Sequence, residues 1–375
     1  MTENVPKMKM FIETYVPVTN CNLRCHYCYI TQRRLFDEKF HGFQYSPETV
    51  AKAVSLERLG GICHFNICGG GETLLPPAII KYIRAILEQG HYVMIITNGT
   101  LSQRFDEITK FPEPLLKRLC FKFSYHYIEL KSRNLIEPFF ENIRKMRDVG
   151  CSFSLELTPS DEAIPLIDEI RHVAEENVGA SCHVTVARDE TSPLRDKPIL
   201  TRLSRSDYMK TWGTFASDMF EYKMSVFGQK RKEFCYAGAW SGHLNLSSGM
   251  FKQCYKSFLA PQNIFEDTAQ PIRKVPIGRK CAQPHCFNAH AFLTLGLIPE
   301  LDSIPYSRIR NKITNDGREW LSAGMSQFLS QKLNENNEEY SQAQKILHGI
   351  RYSYLARLPG SYKKKIARGI KKRLR

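Results

Sequence analysis

The chain has 375 residues, is 42% hydrophobic, and carries 53 Lys and Arg against 38 Asp and Glu for a net charge of +15. That length accommodates one large domain or about two to three smaller ones, and that apolar share builds an ordinary core, which excludes a disordered or fibrous chain. The basicity sits at one end: no acid follows Glu339, and residues 363–375 hold eight Lys or Arg. Met1-Thr-Glu-Asn-Val-Pro-Lys7 lacks the apolar core of a signal peptide, and no apolar run approaches the roughly 18 residues of a membrane-spanning helix. Twelve cysteines without an export signal predict a cytoplasmic protein whose thiols bind metal or sit in the core.

Apolar strand-like runs are expected at 10–16, 62–68, 92–97, 119–125, 151–157 and 182–187. Helical patterns fall between them. One opens at Ser46-Pro47-Glu48, repeats Val50, Val54 and Leu59, and stops at Gly60. Another opens at Pro76-Pro77, carries Ile79, Ile80, Ile83, Ile86 and Leu87, and stops at Gly90; a third, 137–149, stops at Gly150. Strand–helix units of about 30 residues predict parallel strands joined by right-handed crossovers. A closed eight-unit barrel usually needs about 250 residues, so six units in about 180 suit an α/β partial (βα)6 TIM-like barrel. This core is expected over 8–190. A polar connection follows, with Pro193 and Pro198, and then a helix with Tyr208, Trp212, Phe215 and Met219 along one packing face. The connecting segment spans 191–234, a cysteine-bearing module 235–300, and a helical region with a basic tail 301–375.

Cys21, Cys25 and Cys28 form C-x-x-x-C-x-x-C in the loop after the first strand, with Tyr27 before the third cysteine. Three thiolates so spaced can hold three irons of a four-iron cluster and leave the fourth open. The alternative, structural zinc, wants four ligands, and His26 is the local candidate for the fourth. The second strand ends in Gly69-Gly70-Gly71-Glu72. Glycines let the backbone approach a ligand closely, and a carboxylate beside them pairs with an ammonium group; otherwise the run is a strand-to-helix turn. Thr97-Asn98-Gly99 is either a turn or a ligand contact. Ser124 and His126 end the fourth strand, and Glu156 stands in an apolar fifth strand. An acid there is costly to bury unless partnered, which points to a ligand contact or a surface-facing position.

Cys235, Cys254, Cys281 and Cys286 could ligate one further iron–sulfur cluster or a four-thiolate zinc. His285 and His290 are read as neighbours of that site. Cys63, Cys68, Cys120, Cys151 and Cys182 lie in or beside apolar runs and are read as core. In the tail, Tyr362, Ile366, Ile370 and Leu374 recur every four residues among cations. That pattern fits a membrane-surface helix, a solvated tail, or attachment to an acidic partner. Nucleic acid is disfavoured, because no aromatic stacking pattern accompanies the charge.

The segment Thr19-Asn-Cys-Asn-Leu-Arg-Cys-His-Tyr-Cys-Tyr29 resembles the signature loop of the radical S-adenosylmethionine (SAM) superfamily. The resemblance implies that Cys21, Cys25 and Cys28 hold a [4Fe-4S] cluster whose open iron chelates S-adenosylmethionine. It implies that Gly70, Gly71 and Glu72 meet the methionine amino group, the Tyr27 backbone meets adenine, Ser124 meets the ribose, and Asn98 and Glu156 lie close by. The activity implied is reductive cleavage to a 5′-deoxyadenosyl radical that takes a substrate hydrogen. Such an enzyme is oxidoreductase-like and is served by an electron donor such as flavodoxin or ferredoxin. Thirteen residues between Cys235 and Gly249, then four before Cys254, resemble the opening of the SPASM and twitch modules that carry auxiliary clusters. Four residues separate Cys281 from Cys286, where a twitch module has two, and no further cysteine follows, so a two-cluster SPASM is not expected. The first strand begins near residue 9, leaving no room before it for a leader-recognition domain, which favours a sugar-like or other small substrate. The competing readings are a peptide-modifying maturase of the same superfamily and a zinc-stabilised binding protein with a basic tail.

Overall fold

Runs rich in β-branched and aromatic residues favour pleated strands, and the six expected runs form six parallel strands. They are β1 (Met10–Val16), β2 (Cys63–Gly69), β3 (Tyr92–Thr97), β4 (Leu119–Tyr125), β5 (Ser152–Leu157) and β6 (His183–Val184). The computed structural model describes residues 5–352, apart from 38, 255, 256, 258 and 280. Three more strands join the sheet from the second half of the chain: β7 (Ser241–Asn245), β8 (Met250–Lys252) and β9 (Gln262–Asn263). The sheet order is β6-β5-β4-β3-β2-β1-β7-β8-β9, so the sheet is open. β7 runs parallel to β1, while β8 and β9 are antiparallel additions. The architecture is therefore mixed α/β with a largely parallel sheet.

Side chains alternate across a strand, and here they build two different cores. On one face Ile12, Phe65, Ile67, Val93, Ile95, Phe121, Phe123 and Leu155 are buried with Ile83, Phe139, Phe140 and Ile170. Those partners come from helices Ile79–Glu88, Ile136–Asp148 and Ile167–Val178, which cover that face. The opposite face buries Phe11, Tyr92, Met94 and Cys120 against Phe292, Leu295, Tyr306, Ile309 and Phe328. Phe328 stacks on Tyr92 with ring centroids 3.7 Å apart and planes 9° off parallel. The C-terminal part thus plugs the second face toward the strand starts. Two residues further along the same strands the inward positions turn polar, at Glu13, Asn66 and Lys122.

Several expectations are corrected. The helix expected through 208–219 is two, Arg205–Gly213 and Asp218–Val226. Ala216 breaks them with a φ of 43°, and Ser217 Oγ caps the second helix while also accepting from Val184 N at 3.0 Å. Tyr208, Trp212, Phe215 and Met219 are nonetheless all buried, as packing requires. The region from residue 301 is not helical throughout: 301–322 is turns and loop, and helices occupy Ala323–Ser330, Leu333–Asn336 and Gln342–Arg351. Pro305 and Asp316-Gly317 interrupt any earlier helix. The basic tail, with Tyr362, Ile366, Ile370 and Leu374, lies outside the described residues. Among the described residues no helix is long and apolar enough to cross a membrane.

Candidate active site

The loop after β1 lies on the turn after β2, and the backbone holds it there. Gly70 N donates to Val16 O at 3.3 Å, Gly71 N to Val18 O at 2.5 Å, and Glu72 N to Asn20 O at 3.0 Å. A β-carbon on Gly71 would stand 2.0 Å from the Asn20 carbonyl oxygen, and one on Gly70 2.8 Å from that of Val18. Both positions are glycine because the cysteine loop passes directly over them. Within the loop, Cys28 N donates to Cys25 O at 3.0 Å and Leu23 N to Cys21 Sγ at 3.4 Å. Cys28 then begins the helix Tyr29–Arg33.

This docking places Cys21, Cys25 and Cys28 around one cleft with Gly70, Gly71 and Glu72. Its empty space, open mouth included, is about 520 Å³. Asn98, Ser124 and His126 line the same cleft from β3 and β4. Asn98 Nδ2 donates to Cys21 Sγ at 3.6 Å and to Asn22 Oδ1 at 2.8 Å, so it steadies the loop from the adjacent strand. Glu72 is buried and accepts three hydrogen bonds, from Leu74 N (2.9 Å), Thr97 Oγ1 (2.6 Å) and Asn98 N (2.8 Å). Burial raises its carboxyl and these bonds oppose that rise. A carboxylate has about four lone-pair directions, so roughly one remains for a ligand.

The three thiols line one cleft, where soft donors would suit an iron–sulfur cluster, although among the described residues no group of three or more His, Cys, Asp or Glu side chains is arranged to hold a metal ion. Burial pushes the Cys21 thiol up to about 11, with Glu72 adding to the rise while Leu23 N and Asn98 oppose it. Cys25 is raised further, again by burial first. Thiols so placed stay protonated unless a metal displaces the proton. Cys68, expected in the core, is only half-buried and lines this cleft. His26, the fourth ligand of a zinc reading, turns away to Glu162 at 2.8 Å.

Two expected contacts stand off the cleft wall. Tyr27 donates or accepts at His126 Nδ1 (2.7 Å), and its carbonyl accepts from Gln32 Nε2 (2.7 Å). Gln32 also meets Arg188 O and Glu190 N, tying the cluster loop to the polar segment after β6. Glu156 lies beside Ser124 in the β4–β5 register and is buried in an ion cluster. Lys122 Nζ is 3.1 Å from one carboxylate oxygen and Arg310 Nη1 2.8 Å from the other. Burial raises this carboxyl, but Lys122, Arg310 and Lys223 outweigh it and hold it well below the usual carboxylate range. These three cations went unremarked in the sequence. Lys122 was visible as a charge inside Phe121-Lys-Phe123, whereas Lys223 and Arg310 arrive from distant segments.

The later cysteines also converge. Cys235 pairs by backbone with Gly278 in both directions (3.3 and 2.9 Å), while Gly249, with φ 72°, lets Ile264 N reach its carbonyl at 2.9 Å. Burial pushes the Cys235 thiol up, and Cys286, Cys254 and Cys281 add to the rise as neighbours. All four pack on the second-face core. Among the described residues, no group of three or more His, Cys, Asp or Glu side chains is arranged to hold a metal ion. His285 is buried and His290 partly buried, each with an Nδ1 lacking a hydrogen-bond partner.

If the glycines exist to seat the loop, Gly71→Ala must push it off the turn. The expected result is a loss of about 1–3 kcal/mol in urea unfolding together with reduced iron uptake on reconstitution. Gly213→Ala, whose added carbon meets nothing within 4 Å, serves as the control. Full iron uptake and unchanged stability in Gly71→Ala would contradict the docking argument.

Residues 15–158 match the family model described as the radical SAM superfamily. No curated protein matches the chain. Among solved structures, Streptococcus suis SuiB is 15% identical, with 70% of this chain and 65% of SuiB covered and a TM-score of 0.47. The native anSMEcpe structure with bound AdoMet is 16% identical, covering 70% and 80%, with a TM-score of 0.46. BtrN in complex with AdoMet and 2-DOIA is 13% identical, covering 70% and 81%, with a TM-score of 0.33. The chain thus spans a little under two thirds of SuiB. Strands β2–β5, the last two residues of β1, the cysteine loop and the glycine turn fall within the matched residues, which form a domain of the radical SAM superfamily.

Proposed function

We propose that the chain is a radical SAM enzyme whose [4Fe-4S] cluster is held by Cys21, Cys25 and Cys28, and that it oxidises or otherwise modifies a sugar-like or other small substrate. One observation carries this reading: the three loop cysteines share a cleft with Gly70, Gly71 and Glu72 at the carboxyl ends of parallel strands, where sites assemble in barrel folds. When bound, the cluster with S-adenosylmethionine supplies reductive cleavage of the sulfonium and abstraction of an unactivated hydrogen. The protein's own residues do the holding. The remaining lone pair of Glu72 and the glycine carbonyls receive the methionine ammonium, and Ser124 meets the ribose. Asn98 holds the loop at Cys21, and the Tyr27–His126 pair braces it from the other side. Burial pushes His126 down to about 3, so it stays neutral and adds no charge beside the cofactor. Glu156, kept ionised by Lys122 and Arg310, faces substrate in this reading. An electron donor such as flavodoxin or ferredoxin supplies the reducing electron.

Cys235, Cys254, Cys281 and Cys286 hold a second iron–sulfur cluster in this proposal. A four-thiolate zinc uses the same four ligands and is the alternative at this second site. The test of the main reading is formation of 5′-deoxyadenosine and methionine by the anaerobically reconstituted, dithionite-reduced protein. The wild type is expected to form both and Cys28→Ala to fall to background. Undiminished formation in Cys28→Ala would end the proposal.

A peripheral membrane site is supported by helix Gln342–Arg351. Ile346, Leu347 and Ile350 are 60%, 64% and 66% exposed on it, and the basic tail follows directly in sequence. Exposed apolar side chains beside cations suit an anionic bilayer surface. Vesicles containing phosphatidylglycerol should co-sediment the protein and neutral phosphatidylcholine vesicles should not. Ile346→Asp with Ile350→Asp should release it. No co-sedimentation with either vesicle type would remove the membrane from the account.

A further inference from the structure

A second recess lies between the end of β6 and the later cysteines, and its chemistry differs from that of the cofactor cleft. Arg188 and Lys223 line it with His285, His290 and Cys286; among the described residues no carboxylate lines it, although Glu190 pairs with Arg188 at 3.3 Å. Its empty space, open mouth included, is about 340 Å³. Lys223 Nζ donates to the neutral Thr185 Oγ1 at 2.5 Å. Among the described residues no carboxylate lies within ion-pair distance of it, because Glu156 is already engaged by Lys122 and Arg310. Burial pushes the Lys223 ammonium down to about 7; Glu156 opposes that, while Arg188, Lys122 and Arg310 add to it. Glu156 is taken by Lys122 and Arg310 and Glu190 by Arg188 at 3.3 Å, so among these four basic side chains Lys223 is the one without a carboxylate partner among the described residues.

The neutral groups point the same way. His285 is 3% exposed, lines the recess, and has an Nδ1 with no hydrogen-bond partner. His290 Nδ1 is likewise buried and unpartnered. The Arg188 guanidinium lies 5.0 Å over the Phe287 ring, which fixes its plane at the rim. Keeping Lys223 charged with only a hydroxyl partner is costly, and unpaired buried ring nitrogens add to that cost. A bound oxyanion removes both penalties together, since carboxylates and phosphates accept charge-assisted hydrogen bonds from such donors.

We infer that this recess is an oxyanion subsite, in which Lys223 and Arg188 hold a carboxylate or phosphate group of the substrate between the cofactor cleft and Cys286. The inference deepens the radical SAM reading and rests on it for the word substrate. It narrows the small substrate of that reading to one carrying an acid group, such as a uronic acid or a sugar phosphate by chemical class.

The site is tested by titrating inorganic phosphate, and separately acetate, into the reconstituted full chain at constant ionic strength, with binding read by 31P line broadening and by thermal shift. Saturable binding of either anion is expected, and the tighter of the two identifies the group. Lys223→Met should weaken it at least about tenfold, the loss of one charge-assisted hydrogen bond. Lys223→Arg should keep it within about twofold, and Arg188→Gln, at the rim, should also weaken it. Absence of saturable binding for both anions, or equal affinity in wild type, Lys223→Met and Arg188→Gln, would overturn the subsite. The titration needs no reductant and no turnover, so failure to form 5′-deoxyadenosine with anion binding intact would count against the radical reading and not against this site.

Discussion

The cofactor site proposed for this protein depends on one backbone contact, the seating of the cysteine loop on the turn after β2. Three amide-to-carbonyl hydrogen bonds hold it, and they require a chain with no side chain at Gly71, where an added carbon would stand 2.0 Å from Asn20 O. The thiols are thereby fixed by the neighbouring strand end as well as by their own loop. Glu72 extends the same device to β3 by accepting from Thr97 and from Asn98 N. Asn98 closes the circuit by reaching back to Cys21 and Asn22. Ligand spacing alone does not make a metal site; ligands held in place by surrounding hydrogen bonds do.

The second constraint is the gradient along the inward face of the sheet. Near the strand starts that face is apolar and plugged by Phe292, Tyr306 and Phe328. One inward position further on, it carries Glu13, Asn66 and Lys122; Asn288 from the C-terminal half donates to Glu13, and Arg310 joins Lys122 on Glu156. At the strand ends it opens on the cysteine cleft. The plug makes the interior water-poor, which strengthens the buried Lys122–Glu156–Arg310 cluster electrostatically while making each unpaired member expensive. The C-terminal half is therefore structural and functional at once. It seals the sheet, supplies Arg310 and Lys223, and brings four cysteines beside the recess.

Much of this was legible in the sequence. Five of the six expected strands appear within a residue at each end, because their apolar runs were long and flanked by clear helix starts and stops. The cysteine loop and glycine turn were legible as chemistry, since short spacings survive folding unchanged. The meaning of the glycines was less so: they face a ligand cleft and also seat the loop, and only the docked geometry shows the second role. β7 escaped notice because Ser241-Gly-His-Leu-Asn245 carries one large apolar residue, and its place beside β1 is set by tertiary pairing rather than propensity. The cations around Glu156 come from positions 122, 223 and 310, and no local pattern signals a juxtaposition across that distance. The exposed apolar side chains of Gln342–Arg351 adjoin the tail stripe but belong to a separately capped helix, with Ser341 and Gln344 forming the capping box.

The central claim is that the loop thiols hold a cluster rather than a lone ion. Its most direct test is the content of iron, zinc and acid-labile sulfide per chain after anaerobic purification and reconstitution. The account predicts about eight irons with matching sulfide, two four-iron clusters, one in each cysteine group. Zinc without sulfide would contradict it.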